Sequence, residues 1–237
     1  RKTTVSQSLN FNWKILEGLV FDTKANGRID YANTDFFRNP YHGDGKAYQG
    51  SSEKTTSDAR TLFTSTTLSY DKKISALHFN LLGGYETEKY ILKNANVSAR
   101  GFDVPFSDEL DIASAPFGYG SGTTETSMIS YFSRVMLDYM DKYYIQGSYR
   151  RDGSSRFGPR VRWGNFYSVS GSWRLSQEDF LANISWLDDL KIRVGYGTNG
   201  NQAVPPYAYL PTYGLGYNYD YYVGMVHNRL PNYDPRS

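Results

Sequence analysis

Residues 143–150 read Tyr-Tyr-Ile-Gln-Gly-Ser-Tyr-Arg, and residues 166–175 read Phe-Tyr-Ser-Val-Ser-Gly-Ser-Trp-Arg-Leu. In the first stretch Tyr143, Ile145, Gly147 and Tyr149 alternate with Tyr144, Gln146, Ser148 and Arg150. In the second, Tyr167, Val169, Gly171, Trp173 and Leu175 alternate with Phe166, Ser168, Ser170, Ser172 and Arg174. A period of two places the apolar set on one face of an extended strand. The same pattern runs through Val5, Leu9, Phe11 and Trp13, through Leu77, Phe79, Leu81, Gly83 and Tyr85, and through Leu190, Ile192, Val194 and Tyr196.

Working outward, two further strands are less regular. Residues 58–70 are mostly Thr and Ser, and 127–139 carry apolar groups on both faces, with Met128, Phe132 and Met136 opposing Ile129, Tyr131, Val135 and Leu137. Such a strand is expected to be covered on both sides. The connections are short at Lys14–Gly18, Asp71–Lys73 and Asp141–Lys142, with a medium one at Ser176–Trp186 that has room for a helical turn. Longer ones lie near 32–58, 88–125, 152–163 and 198–237. Short and long connections alternate, as they do in a transmembrane barrel whose tight turns face the periplasm and whose longer loops face outside. The long segments are therefore expected to be extracellular. The pattern predicts eight strands, with a possible ninth near 215–226. The fold class expected is all-β, an antiparallel transmembrane β-barrel segment belonging to a larger barrel.

Composition agrees. The 237 residues contain 22 Tyr, 13 Phe and 4 Trp, yet mean hydropathy is −0.59. Tyr outnumbers every other large apolar residue, unlike a core built on Leu, Ile and Val. Polar chains this rich in Tyr suit a barrel wall with aromatic girdles, or a secreted carbohydrate-binding β-sandwich. The absence of cysteine removes disulfides and thiolate metal sites. A net charge of +2 gives no footprint for nucleic acid. No apolar run is long enough for a transmembrane helix, which does not exclude a membrane protein, since barrel strands carry their apolar residues at every second position.

Chemistry-bearing constellations are scarce. His42, His78 and His227 are far apart and lack ligand spacing. His42-Gly43-Asp44-Gly45 reads as a turn, since the further carboxylates of a calcium loop are missing. Asp188 and Asp189, as neighbours on extended backbone, point to opposite faces and lead into the next strand. No catalytic residue, cofactor site or metal site is expected. The densest polar motif is Arg150-Arg151-Asp152-Gly153-Ser154-Ser155-Arg156-Phe157-Gly158, in which arginines at a strand end are expected to pair with carboxylates of neighbouring strands. Tyr207, Tyr209, Tyr213, Tyr217, Tyr219, Tyr221 and Tyr222 crowd the last segment. Their rings suit stacking on sugars or peptides, which makes Tyr207, Tyr209, Tyr213 and Tyr217 the substrate-contact candidates. The competing reading, an outer girdle that packs the loops, is favoured because girdles alone demand many aromatics. Trp13, Tyr70, Tyr139 and Tyr143 flank short turns and are assigned to the inner girdle.

The polar motif also carries a resemblance. Asp141-Lys142-Tyr143-Tyr144, then residues 148–158, then Arg162-Trp163-Gly164-Asn165-Phe166-Tyr167-Ser168-Val169-Ser170 closely resemble the barrel signature of SusC-like TonB-dependent transporters. The likeness continues through Trp173–Glu178, Leu187–Arg193 and Gly195–Gln202, and upstream through Asn80–Glu86 and Ile129–Val135. It is strongest over 127–202. The resemblance implies an outer-membrane barrel of roughly 22 strands with a plugged lumen, in Bacteroidetes-type Gram-negative bacteria. It implies a SusD-like surface lipoprotein as extracellular lid, TonB acting on the plug from the periplasm, and import of an oligosaccharide or peptide. This stretch is then barrel wall, in contact with outer-membrane lipid, with the plug and the closing strands lying elsewhere. Two rivals are a stand-alone small outer-membrane barrel acting as adhesin or anchor, whose first and last strands must pair, and the soluble sandwich, whose apolar faces must be buried. An enzyme fits the residues least.

Overall fold

The computed structural model describes residues 1–181, 187–210, 213–219 and 222–227. Eight strands form one sheet in sequential order: β1 Lys2–Leu16, β2 Leu19–Arg38, β3 Ser51–Ile74, β4 Leu77–Arg100, β5 Ala115–Tyr139, β6 Tyr143–Ser154, β7 Trp163–Arg174 and β8 Lys191–Gly197. Within the described residues β1 and β8 are the two edges of this sheet and do not pair with each other. The closed eight-stranded barrel is thereby excluded. The expected ninth strand is instead a separate antiparallel hairpin, β9 Tyr213–Tyr219 with β10 Tyr222–His227, carrying a bulge at Gly224/Met225.

The strands outrun their apolar alternation. The connections expected at 32–58, 88–125 and 152–163 shrink to 39–50, 101–114 and 155–162, because β2 to β5 have 20 to 25 residues each. Backbone pairing needs no apolar face, and Thr, Ser and Tyr tolerate a strand wetted on both sides. The turn expected at Asp71–Lys73 lies at 75–76. Asp71 remains in β3, where its carboxylate accepts from Asn80 Nδ2 at 3.0 Å and lies 3.1 Å from His78 Nε2. The turns at 17–18 and 140–142 fall close to where the sequence puts them, using positive φ at Gly18, Met140 and Asp141. The medium connection opens with a 3-10 turn, Leu175–Gln177.

Contacts divide the chain into two units. The first comprises Arg1–Ser8, Asn26–Leu62 and Lys89–Glu125. Here the connections 39–50 and 101–114 close on one another. Phe102 is 1% exposed and meets Phe37 edge-on at 5.3 Å. Its N–H donates to Gln49 O at 2.6 Å, and the Tyr41 hydroxyl donates to Asp103 O at 2.9 Å. The guanidinium of Arg100 lies over the rings of Tyr48 and Phe117, at 3.7 and 3.1 Å. His42-Gly43-Asp44-Gly45, expected as a turn, leads into a 3-10 turn, Gly43–Tyr48.

The second unit comprises Leu9–Ala25, Phe63–Glu88 and Thr126–Ser237. Its sheet has the burial pattern of a soluble sheet turned inside out. Along β7 the residues Trp163, Asn165, Tyr167, Val169, Gly171 and Trp173 are exposed, while most of the alternate, polar-face residues are half-buried. Register carries the apolar face across strands: Val135, Gly147, Val169 and Tyr196 form one row, and Leu137, Ile145, Gly171 and Val194 the next. Val169 is 54% and Val194 73% exposed. Across the described residues the buried apolar side chains are few: Pro40, Ala99, Phe102 and Val204. A soluble sandwich would bury these stripes, so that rival is also excluded.

Two rows of rings bound the apolar face. Beside the turns, Tyr139, Tyr143 and Trp173 stack in sequence at 6.4 and 6.3 Å. Tyr70 packs on Phe79 at 5.8 Å, and Trp13 is exposed. At the other end Tyr85, Tyr131 and Trp163 form a second row, at 5.8 and 6.2 Å. On β7 the two tryptophans stand ten residues apart, about 33 Å along a strand. At a tilt of about 40° that is a height of about 25 Å, the thickness of the apolar band of an outer-membrane barrel.

Candidate functional site

The polar face of β5 to β8 is built around one arginine. In register, Phe132, Arg150 and Phe166 form a row. The Arg150 guanidinium donates to Asp152 Oδ1 at 2.8 Å and to Glu86 Oε2 at 3.1 Å, and lies 5.6 Å above the Phe132 ring. The pairing expected with neighbouring strands takes another form: of the motif's arginines Arg150 alone has carboxylate partners among the described residues, one on β4, two strands away, and one on its own strand. Phe132 lies across Gly84, where a Cβ would fall 2.7 Å from the ring's Cε2. Met128, Phe132 and Met136, the second apolar face of β5, thus belong to the polar side of the sheet.

Beyond this row the β6–β7 connection turns back on itself. Ser154 N donates to Arg162 O at 3.1 Å, Phe157 N to Ser154 O at 3.3 Å, and Val161 N to Gly158 O at 3.0 Å. The segment after β8 is held against it: Arg156 Nη1 donates to Val204 O at 2.9 Å, and the Tyr209 ring rests on Gly158, 3.6 Å from where a Cβ would stand. Thr198 continues the ladder by bonding the backbone of Tyr167. Between these segments lies a cavity of about 830 Å³. Its walls include Arg160, Arg162, Trp163, Phe166, Asn199 and Asn201. The volume lies in the range of small-ligand sites.

The sequence candidates divide accordingly. Tyr209 is half-buried and packs into the wall behind the cavity; Tyr207 is exposed with positive φ and caps a turn whose Leu210 N–H donates to Tyr207 O at 2.9 Å. Tyr213 and Tyr217 pair along the backbone with His227 and Gly224 in the β9–β10 hairpin, and their side chains, with Tyr221, lie outside the described residues. Arg160, Arg162, Asn199 and Asn201 are not among the sequence's contact candidates, although Arg162, Asn199 and Asn201 lie in its resemblance motifs, because only the folding-back of two loops brings them together. Arg151 takes no part: it faces the other way, with its guanidinium 5.0 Å from the Trp163 ring. On the turn side, Glu178 accepts from the Tyr143 hydroxyl at 2.6 Å, from Trp173 Nε1 at 3.0 Å and from Lys142 Nζ at 3.3 Å. These donors hold its carboxyl below the usual range, the Tyr143 bond contributing most. Asp189 accepts from Arg174 Nε and Ser176 Oγ, both at 2.9 Å, just ahead of β8.

No family model matches the chain. Individual relatives do. It is 35% identical over 115 residues to TonB-dependent receptor P39 of Formosa agariphila, across 48% of this chain and 11% of that protein. It is 32% identical over 154 residues to TonB-dependent receptor SusC of Bacteroides thetaiotaomicron, across 65% of this chain and 15% of the relative. The chain thus spans a small part of the length of the curated relatives it matches. The structure of the RagAB peptide transporter superposes on 96% of this chain and 26% of its own, with a TM-score of 0.82 at 24% identity. The RagAB peptide importer in its 'open-open' state gives 0.81 at 23%. The open eight-stranded sheet and its outward apolar face agree with these likenesses: the chain has the fold of a β-barrel segment and is similar over part of its length to SusC-like TonB-dependent receptors.

Proposed function

We propose that the chain forms part of the wall of an outer-membrane importer that takes up a nutrient oligosaccharide or peptide in a TonB-dependent manner. The observation that carries this reading is the inverted sheet. Its exposed face is apolar over a height of about 25 Å between two aromatic rows, which matches a lipid-facing barrel wall. Its polar face then lines a lumen, and transport through such a wall requires no chemical transformation. Relatives bearing the names TonB-dependent receptor and SusC support the energy coupling. The source is a Bacteroidetes-type Gram-negative cell, with TonB acting through a plug. A SusD-like lipoprotein sits over the loops at 39–50, 101–114, 155–162 and after 198, which face the outside. Tyr207, Tyr209, Tyr213 and Tyr217 belong to the segment that meets substrate at that mouth.

The test is uptake of labelled oligosaccharides and peptides by cells carrying the full-length protein, with and without TonB. Accumulation that disappears without TonB is expected. Equal accumulation in both strains would refute energised import, and a native mass in detergent near 27.0 kDa would refute a larger barrel.

A further inference from the structure

We infer that the cavity between the β6–β7 connection and the segment after β8 is a subsite for a carboxylate group of the transported ligand, an inference that rests on the import reading above. Three arginines and one aspartate line the cavity: Arg150, Arg160, Arg162 and Asp152. Arg150 is already bound to Asp152 and Glu86, so neither carboxylate is left for the other two. Arg160 and Arg162 have no ion-pair partner among the described residues, and the Nε of Arg162 is buried without any hydrogen-bond partner. A buried guanidinium donor left unbonded is costly, and a carboxylate is the planar acceptor its fork fits.

The rest of the cavity suits the remainder of such a ligand. Phe166 supplies a ring face, and Asn199 and Asn201 supply amides that bond hydroxyls or peptide groups. The site is also built to stay in place. Phe166 lies over Gly164, where a Cβ would stand 2.8 Å from the ring. The Arg156–Val204 bond fixes one wall to the other. Two sources present this chemistry: an acidic sugar such as a uronate, or the carboxylate of a peptide.

The experiment uses the full-length protein in detergent and four fluorescent probes: trigalacturonate against maltotriose, and a tetra-alanine peptide with a free against an amidated C-terminus. In the unmodified protein at least one charged probe is expected to bind about tenfold more tightly than its neutral counterpart, the size of one charge-assisted contact. Which pair shows the ratio identifies the source of the carboxylate. R160Q/R162Q is expected to bring the ratio to about one while leaving the neutral probe unchanged, and R160K/R162K to restore part of it. Heat-modifiable migration checks that each barrel is folded. Should the double variant not fold, R160Q alone, at an exposed position, must still lower the ratio and its salt dependence. Equal affinity for charged and neutral probes, binding of no probe, or a ratio untouched by the substitutions would overturn the inference. TonB-dependent uptake, measured separately, reports on the import reading whatever the ratio.

Discussion

Val169→Arg tests the lipid-facing wall most directly. Val169 stands four residues from Trp173 and six from Trp163 on β7, about 13 and 20 Å along the strand. At a tilt of about 40° these become heights of about 10 and 15 Å, which puts Val169 near the middle of the band. Its flanking partners in the row are Gly147 and Tyr196, neither of which supplies an acid. An arginine there has no partner within the row and no short route to water. Its cost at mid-band is about 2–4 kcal/mol. The neighbouring change Ser170→Arg places the same charge on the polar face, between Gln146 and Gly195, and is expected to cost under about 0.5 kcal/mol. Urea titration of the full-length protein folding into lipid vesicles measures both. A Val169→Arg variant as stable as Ser170→Arg would mean that this face meets water, and the membrane reading would fall with it.

Three further outcomes follow from particular contacts. Gly84→Val should destabilise by about 1–3 kcal/mol by driving Phe132 off its seat, and Phe132→Ala should relieve most of that penalty in the double variant, as urea titration would show; additive losses would contradict the packing described. Phe102→Ala removes the buried ring that joins 39–50 to 101–114, at a local cost of about 3–5 kcal/mol; hydrogen exchange should quicken in both connections and nowhere in 143–174. Glu178, outside the spanning strands, has its carboxyl lowered from an ordinary value of 4.5 by Tyr143, Trp173 and Lys142. Its contribution is therefore complete above about pH 5 and is lost as pH falls below 4.5 through the lowered value. Trp173 fluorescence should report an acid transition that Glu178→Gln abolishes, and a transition unchanged in that variant would assign it to another group.

Much of the wall was legible because barrel strands write their faces at every second residue. Tyr143–Arg150 and Phe166–Arg174 name both faces, and the register of β5 to β8 keeps them in step. Tyr139 and Tyr143 flank a short turn, which is enough to place them in a girdle. The opposite girdle was not legible. Tyr85, Tyr131 and Trp163 come from three strands, β4, β5 and β7, and meet only once the sheet has formed, whereas the side chains of the tyrosines from 213 on, which the sequence assigns to that girdle, lie outside the described residues. Strand ends are not written in the sequence where Thr, Ser and Asn continue the pairing without an apolar face. The ligand cavity was hidden for a related reason. Arg160 and Arg162 sit in a turn that reads as ordinary surface, and Asn199 and Asn201 reach them only through the bonds that Arg156 and Thr198 make.

The edges of the sheet argue for the rest of the barrel more strongly than its residues do. Every residue of β1 is exposed, and among the described residues β8 pairs on one side only. Each edge presents a row of backbone N–H and C=O groups. In water such an edge invites aggregation, and in hydrocarbon each unpaired group costs several kcal/mol. The apolar residues of both strands, Val5 to Trp13 and Ile192 to Tyr196, are exposed, and in the proposed membrane wall they face lipid, where no water satisfies these edges. A sheet with this face and these edges is therefore stable only when further strands continue it on both sides. The superposition on about a quarter of a much longer barrel chain is what that requirement predicts. The import proposed above would therefore be a property of the closed barrel, to which this segment would contribute one arc of wall.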